Sequence, residues 1–406
     1  MNNRVVITGM GIYSCLGKNL DEVRESLMKG KSGIGYLQSR KDMGYRSALS
    51  GIIEIPNLKG ILDRRARISM AEPALYAYVA TLEALKNANL DIDFLEQNET
   101  GILYGNDSSA QAVTDAVDII RAKKDTTLLG SGSVFQSMNS TVTMNLATLF
   151  KLKGINMTIS AACASGSHAI GLGAMFIRNG MQERVICGGA QEVNDTVYGS
   201  FDGIGAFSTL ESDPTKASRP FDKNRDGLVP SGGAATIILE SYESAIKRGA
   251  PILAEVIGYG FSSNGDHIIV PTTEGPTRSL ALALKNAGIQ AKEVDYINAH
   301  ATSTPVGDQA EAAAINNVFG GCNTPVSSTK AMTGHECWMA GASEVVYSLL
   351  MMQNDFIAPN INFENPDEES AKLNIISKPT EKKIDIFASN SFGFGGTNST
   401  LVVKKV

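Results

Sequence analysis

Three side chains that can take part in nucleophilic chemistry stand where short β-prone runs break into small residues. Cys163 lies in "TISAACASGSHAIG", His300 in "INAHATSTPVGD" and His335 in "STKAMTGHECW". The chain has only 4 histidines, and two of them share this context. A cysteine with two histidines supplies a thiol nucleophile and two imidazoles that act as bases or hydrogen-bond donors. The pattern predicts a covalent catalytic site at strand ends, although a buried structural cysteine also fits the first stretch by itself.

The residues around Cys163 predict a strand, a turn and then a helix of small residues at 165–180. Unpaired N–H groups and the positive end of the dipole at a helix N-terminus favour a thiolate. The same N–H groups can bind a developing oxyanion. The scarcity of bulky residues in the first turns predicts that this helix packs tightly against another backbone. His168 and His267 stand in weaker contexts, and we expect structural roles for both.

Strand and helix patterns alternate along the chain and predict α/β sheets covered by helices on both faces. Strand-like segments with glycine-rich ends recur in three pairs: 4–14 with 253–263, 100–110 with 294–304, and 184–195 with 385–398. Glycine-rich strand ends are common in α/β proteins, so this echo alone leaves chance as an alternative. Our interpretation is a duplicated core with its junction near residue 250.

The composition limits the partners of the protein. The chain has 406 residues, of which 43% are hydrophobic and 19% charged, and its formal net charge is −6. These values are typical of a globular protein and argue against a global affinity for nucleic acid. No apolar stretch reaches the roughly 18 to 20 residues that span a bilayer, and the first residues do not form a secretory signal. Five scattered cysteines without a CxxC predict neither disulfides nor a metal site. We therefore expect a cytoplasmic protein without a membrane partner.

Four motifs together resemble β-ketoacyl-acyl carrier protein synthases of the elongating types I and II, within the thiolase superfamily. The motifs are "AACASGSHAIG", "HATSTPVGD", "STKAMTGH" and "SNSFGFGGTN", and they follow the family's order over essentially the whole chain. The resemblance implies a thiolase-like five-layered αβαβα fold with two pseudo-repeated halves, which we place at 1–250 and 251–406. It also accounts for the echo between the halves.

The resemblance assigns the reaction to Cys163, His300, His335 and Lys330. Cys163 would take an acyl chain from acyl carrier protein. The two histidines would hydrogen-bond the malonyl thioester carbonyl while carbon dioxide leaves, and the resulting carbanion equivalent would attack the acyl-cysteine. The product would be a β-ketoacyl chain two carbons longer, as in fatty-acid elongation. No cofactor or metal is implied, since the substrates are carried on the phosphopantetheine arm of the carrier.

Further roles follow from the same resemblance. Lys330 would anchor the site electrostatically, with Glu344 as its ionic partner. The backbone N–H groups of Cys163 and Phe394 would form the oxyanion hole, and Phe394 would also gate the pocket. Supporting carboxylates and positions that contact pantetheine or substrate complete the set: Asp308, Glu311, Thr302, Thr304, Ser108, Phe201 and Phe392.

The sequence departs from the family pattern after the second histidine. The family usually has small or apolar residues ending in glycine there, whereas Glu336, Cys337 and Trp338 follow here, and Trp338 is the only tryptophan. A ring of that size must reshape the surroundings of the site. Ala301 replaces a usual glycine. Ser108 falls near a position that tunes acyl-chain length, where a small side chain would leave the pocket open. These departures keep a specialised ketosynthase of polyene or polyketide assembly as an alternative.

Other classes fit less well. A coenzyme A-dependent thiolase would normally carry a second catalytic cysteine in the C-terminal glycine-rich loop, and "SFGFGGTN" has none. A priming synthase would have asparagine in place of His335, and a non-catalytic chain-length factor would have lost Cys163. A cysteine hydrolase of Cys–His–Asn type would need neither a second histidine nor Lys330.

The resemblance also implies an acyl carrier protein as partner and a homodimer as assembly. An acidic carrier would be repelled by a net charge of −6 unless a basic patch overrides it. Solvated helix faces are the alternative for each candidate patch. Segment 133–150 resembles the family's dimer region, and a heterodimer with an inactive homologue is the alternative assembly. The candidate docking residues are Arg64, Arg65, Arg67, Arg121, Lys123 and Lys124.

Overall fold

The computed structural model describes residues 3–406. The strands in this range are β1 (Val5–Ser14), β2 (Ile34–Tyr36), β3 (Leu49–Gly51), β4 (Gly101–Gly105), β5 (Asn156–Ile159), β6 (Arg184–Gln191), β7 (Gly233–Ser241), β8 (Ala254–Ser263), β9 (Tyr296–Asn298), β10 (Pro325–Ser327), β11 (Phe356–Ile357), β12 (Asn374–Ile375), β13 (Thr380–Glu381), β14 (Ile386–Phe392) and β15 (Thr397–Lys404).

The helices alternate with the strands, as the sequence predicts. They are α1 (Leu20–Lys29), α2 (Gln38–Asp42), α3 (Arg64–Arg67), α4 (Glu72–Asn87), α5 (Ile92–Gln97), α6 (Ala110–Lys123), α7 (Ser133–Gln136), α8 (Thr141–Leu149), α9 (Ser165–Arg178), α10 (Gly199–Gly203), α11 (Tyr242–Lys247), α12 (Glu274–Ala287), α13 (Pro305–Phe319), α14 (Lys330–Thr333) and α15 (Ala340–Gln353). Within residues 3–406, none of them combines the length and the apolar character needed to cross a bilayer.

The main sheet repeats one strand order twice. Across the described residues it has 11 strands, β5-β4-β6-β7-β1 in the N-terminal part and β10-β9-β14-β15-β8 in the C-terminal part, with β12 beside β10. In each part the first three strands are parallel, and each of the last two is antiparallel to the strand before it. All three echoing sequence pairs fall on corresponding strands, which confirms the pseudo-repeat. The boundary at residue 250 stays a prediction.

The helices divide the fold into five layers. The central helices α9 and α15 pack on each other, and both contact strands from the two parts of the sheet. On the outer faces, α4 packs on β1 and β7, and α12 packs on β8 and β15. The largest buried apolar cluster surrounds α9 and α15. The arrangement is the αβαβα fold that the motifs predict.

Matching glycines allow the outer helices to approach the sheet closely. Gly9 and Gly11 of β1 face the backbone of α4, and Gly258 and Gly260 of β8 face the backbone of α12. A Cβ atom at any of these positions would overlap a helix carbonyl oxygen. In the central layer, a Cβ on Gly166 would lie 2.9 Å from the backbone nitrogen of Ala342. The predicted tight packing of the small-residue helix is therefore present.

Candidate active site

The three residues with nucleophilic or basic side chains meet at one buried point. The Sγ atom of Cys163 and one ring nitrogen each of His300 and His335 lie within 4.8 Å of one another. All three side chains line a cavity of about 270 Å³, whose lining extends to the exposed Ile268. Cys163 follows β5 and His300 follows β9, whereas His335 follows the short helix α14, which comes after β10. The predicted placement at a strand end is therefore right for Cys163 and His300, while α14 separates His335 from its strand.

Cys163 sits in a strained turn between β5 and α9. The residue before it, Ala162, has a φ of +45°, which a side chain disfavours by about 1 kcal/mol or more. Hydrogen bonds hold the turn: the Ala162 N–H donates to Asp107 at 2.9 Å, and the Ser165 hydroxyl donates to the Ala162 carbonyl at 2.6 Å. The turn thereby presents the thiol to the cavity at the start of α9.

Burial favours the protonated form of the Cys163 thiol. The side chain is buried, and burial raises its pKa to about 12. The positive charge of Lys330 and the backbone N–H groups of Phe394 and Cys163 oppose that rise. The N–H groups at the helix terminus favour a thiolate, as expected, but desolvation outweighs them.

The same two N–H groups form a candidate oxyanion hole at the thiol. Those of Cys163 and Phe394 both lie close enough to the sulfur to lower its pKa. Gly393 makes this approach possible, since a Cβ there would lie 3.1 Å from the Cys163 nitrogen. The Phe394 ring is 37% exposed and stacks on Phe201, with ring centroids 6.0 Å apart. A partly exposed ring at the cavity is compatible with the predicted gating role of Phe394.

Backbone hydrogen bonds fix both histidines. Glu311 accepts hydrogen bonds from the His300 N–H at 2.9 Å and from the Ala301 N–H at 2.6 Å. The backbone of His335 bridges the segment around Pro230, donating to the carbonyl of Val229. The two imidazoles meet edge to face, with centroids 5.2 Å apart and an interplanar angle of 87°.

The histidine rings are neutral and keep free nitrogens. Burial and the charge of Lys330 lower the pKa of His300 and His335 well below the usual value. Nδ1 of His300 and both ring nitrogens of His335 lack a hydrogen-bond partner in residues 3–406. By contrast, both nitrogens of His168 are bonded, to Tyr259 and Thr397, which fits its expected structural role. Two unpartnered imidazoles facing a cavity can donate to a substrate oxygen.

Lys330 supplies the positive charge of the site. Its ammonium contacts a carboxylate oxygen of Glu344, and both side chains are buried. Burial raises the pKa of Glu344 to about 8, and Lys330 opposes the rise. The same charge lowers the pKa of Cys163 and of the histidines. This geometry agrees with the predicted electrostatic role.

Four of the five predicted contact residues line the cavity: Thr302, Thr304, Phe201 and Phe392. The two threonine hydroxyls lie 3.1 Å apart, and the Phe392 ring meets His300 with centroids 5.9 Å apart. Ser108 does not line this cavity; its hydroxyl accepts a hydrogen bond from Trp338. The space that a small residue was expected to leave open there is therefore occupied by the indole.

Asp308 supports the loop after His300. It accepts hydrogen bonds from the Ser303 N–H at 3.1 Å and from the Phe221 N–H at 2.8 Å, and Arg225 lies 3.8 Å away. Burial raises its pKa to about 7 despite that arginine. Ser303 has a φ of +72°, so the carboxylate stabilises a second strained turn of the site.

Sequence reasoning missed two features. Asp107, which holds the Cys163 turn, carries no motif that marks it. The loop 267–271 lies at the cavity mouth, where Nδ1 of His267 accepts the N–H groups of Ile269 and Val270. That bonding agrees with a structural role for His267, yet the loop itself helps to line the entrance.

The cysteine and two histidines could also ligate a metal ion. The buried ammonium of Lys330, which acts on all three residues, disfavours a second cation beside them. The absence of a metal from the chemistry stays a prediction.

The repeated five-layered fold and the cysteine at the central helix define a thiolase-like condensing enzyme. Residues 2–245 match "Beta-ketoacyl synthase, N-terminal domain" and residues 253–364 match "Beta-ketoacyl synthase, C-terminal domain". The chain belongs to the β-ketoacyl synthase family.

Relatives match over the full length. The chain is 41% identical to 3-oxoacyl-[acyl-carrier-protein] synthase 1 of Escherichia coli K12, over 99% of each chain. A β-ketoacyl synthase structure from Burkholderia phymatum STM815 superposes with a TM-score of 0.94 at 34% identity, over 100% of each chain. A type II polyketide ketosynthase in complex with its acyl carrier protein superposes with a TM-score of 0.91 at 28% identity, also over 100% of each chain.

Proposed function

We propose that the chain is a 3-oxoacyl-acyl carrier protein synthase that condenses malonyl-acyl carrier protein with an acyl chain held on Cys163. The observation that carries the proposal is the meeting of a buried thiol, two N–H groups directed at it, and two neutral histidines with unpartnered nitrogens. The reaction needs each of these parts at a different step.

In the first step, Cys163 attacks the thioester carbonyl of the acyl carrier. Because burial favours the protonated thiol, its proton must leave during the attack. A neutral imidazole within 4.8 Å can transfer it to the departing carrier thiol. The N–H groups of Cys163 and Phe394 stabilise the tetrahedral oxyanion.

In the second step, His300 and His335 hydrogen-bond the malonyl thioester oxygen. The bond to the carboxylate breaks, carbon dioxide leaves, and the electron pair forms an enolate that the imidazole N–H groups stabilise. The enolate carbon attacks the acyl carbon on Cys163, and the cysteine thiolate is expelled. The product on the carrier is two carbons longer, and no cofactor takes part.

Mass spectrometry tests the proposal directly. Incubation with acyl-carrier protein should add the mass of the acyl group to a peptide containing Cys163. Adding malonyl-carrier protein should remove that label and yield a carrier whose chain has gained two carbons. An unlabelled Cys163, or a product without the gain, contradicts the proposal.

Fatty-acid elongation is favoured over polyketide assembly. The synthase 1 relative is 41% identical, whereas the polyketide ketosynthase is 28% identical. We also place the enzyme in a reducing cytoplasm because its five cysteines are all free.

Acyl carrier protein is the proposed partner, with docking through exposed basic residues. Arg64 and Arg65 are exposed on α3, and Arg121, Lys123 and Lys124 are exposed at the end of α6. Arg67 is half-buried and donates to the Leu62 carbonyl. None of the six docking candidates forms an ion pair in residues 3–406, which leaves their charge available to an acidic partner.

Reversing two of these charges should weaken carrier docking. We expect the double variant Arg65→Glu, Lys124→Glu to raise KM for carrier-bound substrate, and the effect to shrink with salt as the Debye length falls to about 8 Å at physiological ionic strength. Steady-state kinetics on carrier-bound and on free pantetheine thioesters separate docking from damage to the fold. None of the six docking candidates lines the cavity. The comparison variant is therefore a charge reversal at the cavity mouth, Arg46→Glu, where Arg46 lies beside Gly205. If Arg46→Glu changes KM and the double variant does not, the docking surface lies at the cavity mouth instead.

A homodimer is the proposed assembly. β5 is the edge strand of the N-terminal part of the main sheet, and Met157 on it is 49% exposed. Val134, Phe135 and Met138 in segment 133–150 and Met175 on α9 are also exposed apolar side chains. Exposed apolar groups beside a free strand edge predict burial by a partner.

Sedimentation should therefore show a dimer, with an obligate interface above about 2,000 Å². Met157→Arg should shift the population towards monomer, since it places a charge in that interface. Ile246→Arg, at an equally exposed apolar position on α11, should leave the dimer intact. A fully active wild-type monomer at assay concentration would refute the assembly, and dimerisation only with a homologous subunit would favour the heterodimer.

A further inference from the structure

Trp338 is held rigidly between the active site and the central helices. It lies in a 3₁₀ turn at Cys337–Met339, directly after the segment of His335. Its carbonyl oxygen faces glycines on two other elements: a Cβ on Gly166 would lie 3.0 Å from it and one on Gly189 2.6 Å from it. The side chain is only 8% exposed. The backbone under the indole therefore has no room to move.

Hydrogen bonding fixes the indole as well. Its Nε1–H donates to the Ser108 hydroxyl at 3.1 Å, and that hydroxyl lies 3.4 Å from a carboxylate oxygen of the buried Glu192. Glu192 in turn accepts the Ala110 N–H at 2.6 Å. This chain of hydrogen bonds connects the ring to the start of α6, so rotation of the indole would leave buried polar groups without partners.

The indole stands directly behind the wall of the cavity. Phe201 lines the cavity and stacks on Phe394, and the Trp338 ring packs against Phe201 in a tilted arrangement, with centroids 6.5 Å apart. Cys163 and Phe201 both line the cavity and pack in the same apolar cluster as Trp338, but Trp338 itself does not line the cavity. On the side of Cys163 that faces this cluster, Trp338 is therefore a barrier fixed by its packing and its hydrogen bond.

We propose that Trp338, anchored by Ser108, closes the acyl end of the site and restricts the enzyme to short acyl chains on Cys163. The inference rests on the proposed condensation and adds its substrate class. An acyl chain on Cys163 must leave the space beside His300 and His335 free for the malonyl thioester. It therefore extends into the apolar cluster. Each methylene that finds apolar space strengthens binding about fourfold. Once the acyl chain is long enough to reach the fixed indole, additional methylenes find no apolar space and no longer strengthen binding.

Condensation kinetics with butanoyl, hexanoyl, octanoyl, dodecanoyl and hexadecanoyl carrier protein test the inference at a fixed concentration of malonyl-carrier protein. For the wild type, kcat/KM should fall steeply between hexanoyl and dodecanoyl substrates. Trp338→Ala should raise the dodecanoyl-to-hexanoyl ratio of kcat/KM by about tenfold or more, the gain expected from two or more accommodated methylenes. Trp338→Leu carries the test if the alanine variant does not fold.

Two further variants distinguish the barrier from general loosening. Ser108→Ala keeps the ring but removes its anchor, and should shift the ratio in the same direction by a smaller factor. Phe150→Ala truncates a buried aromatic of the same cluster that stacks on Tyr78, away from the cavity. It should lower thermal stability without changing the ratio.

The outcomes separate this inference from the proposed function. A wild type that condenses no acyl chain contradicts the condensation itself. A wild type that condenses short chains but already prefers dodecanoyl substrate overturns the inference. So does an unchanged ratio in every folded Trp338 variant, which would place the acyl chain elsewhere in the cavity.

Discussion

Cys163→Gln should lower condensation by about 10⁴-fold or more, while malonyl decarboxylation persists. The expected loss is large because the acyl group then has no covalent acceptor, and single nucleophile deletions remove most of an enzyme's rate enhancement. In the proposed mechanism decarboxylation uses His300 and His335, whose positions depend on Glu311 and on the backbone of Val229 rather than on the thiol. The glutamine carbonyl can also accept the N–H groups that hold the acyl oxygen.

Separate measurements of the two half-reactions check this result. Carbon dioxide release from malonyl-carrier protein reports decarboxylation, and mass spectrometry of the carrier reports condensation. Cys187→Ala is the matched control, since Cys187 is also fully buried but lies outside the cavity. That variant should keep both activities. Loss of decarboxylation in a folded Cys163→Gln protein would contradict the division of labour between thiol and histidines.

Strand ends made the site predictable from the sequence. In parallel strands of one sheet the carboxyl ends meet at the same edge, so the segments of small residues after β5 and β9, and the glycine-rich one after β14, converge. The Gly9/Gly11 and Gly258/Gly260 pairs are the physical cause of the echo, because each pair admits a helix backbone. Motif and periodicity therefore carry both the fold and the positions of Cys163 and the histidines.

Burial and long-range contacts were beyond reach of the sequence. The raised pKa of Cys163 follows from desolvation that only tertiary structure creates, and this outweighs the N–H groups at the helix terminus, which lower the pKa as local reasoning predicts. Asp107 is 55 positions from the Ala162 N–H that it holds. Trp338 and Ser108, separated by 230 positions, form one unit through a single hydrogen bond. Spacing in the sequence marks none of these partners.

His335→Ala should lower malonyl decarboxylation by roughly 10²- to 10³-fold, about 3 to 4 kcal/mol in transition-state free energy, because one of two donors to the developing enolate oxygen is lost. Both ring nitrogens of His335 lack a partner in residues 3–406, so the ring is free to donate to a substrate. Burial and the charge of Lys330 lower the pKa of His335 well below its usual value, so the imidazole stays neutral at pH values where histidine is normally charged. Lys330 supplies the positive charge of the site instead.

The same variant should still form the acyl-enzyme, since the N–H groups of Cys163 and Phe394 remain in place. Single-turnover acylation, measured as the mass gain on Cys163, should therefore change far less than carbon dioxide release. His335→Asn restores an N–H donor of similar reach and should recover part of the lost decarboxylation, which a purely structural role would not predict. Thermal unfolding of both variants shows whether the site has kept its packing. A folded His335→Ala enzyme that releases carbon dioxide at the wild-type rate would leave His300 as the sufficient donor and remove His335 from the mechanism.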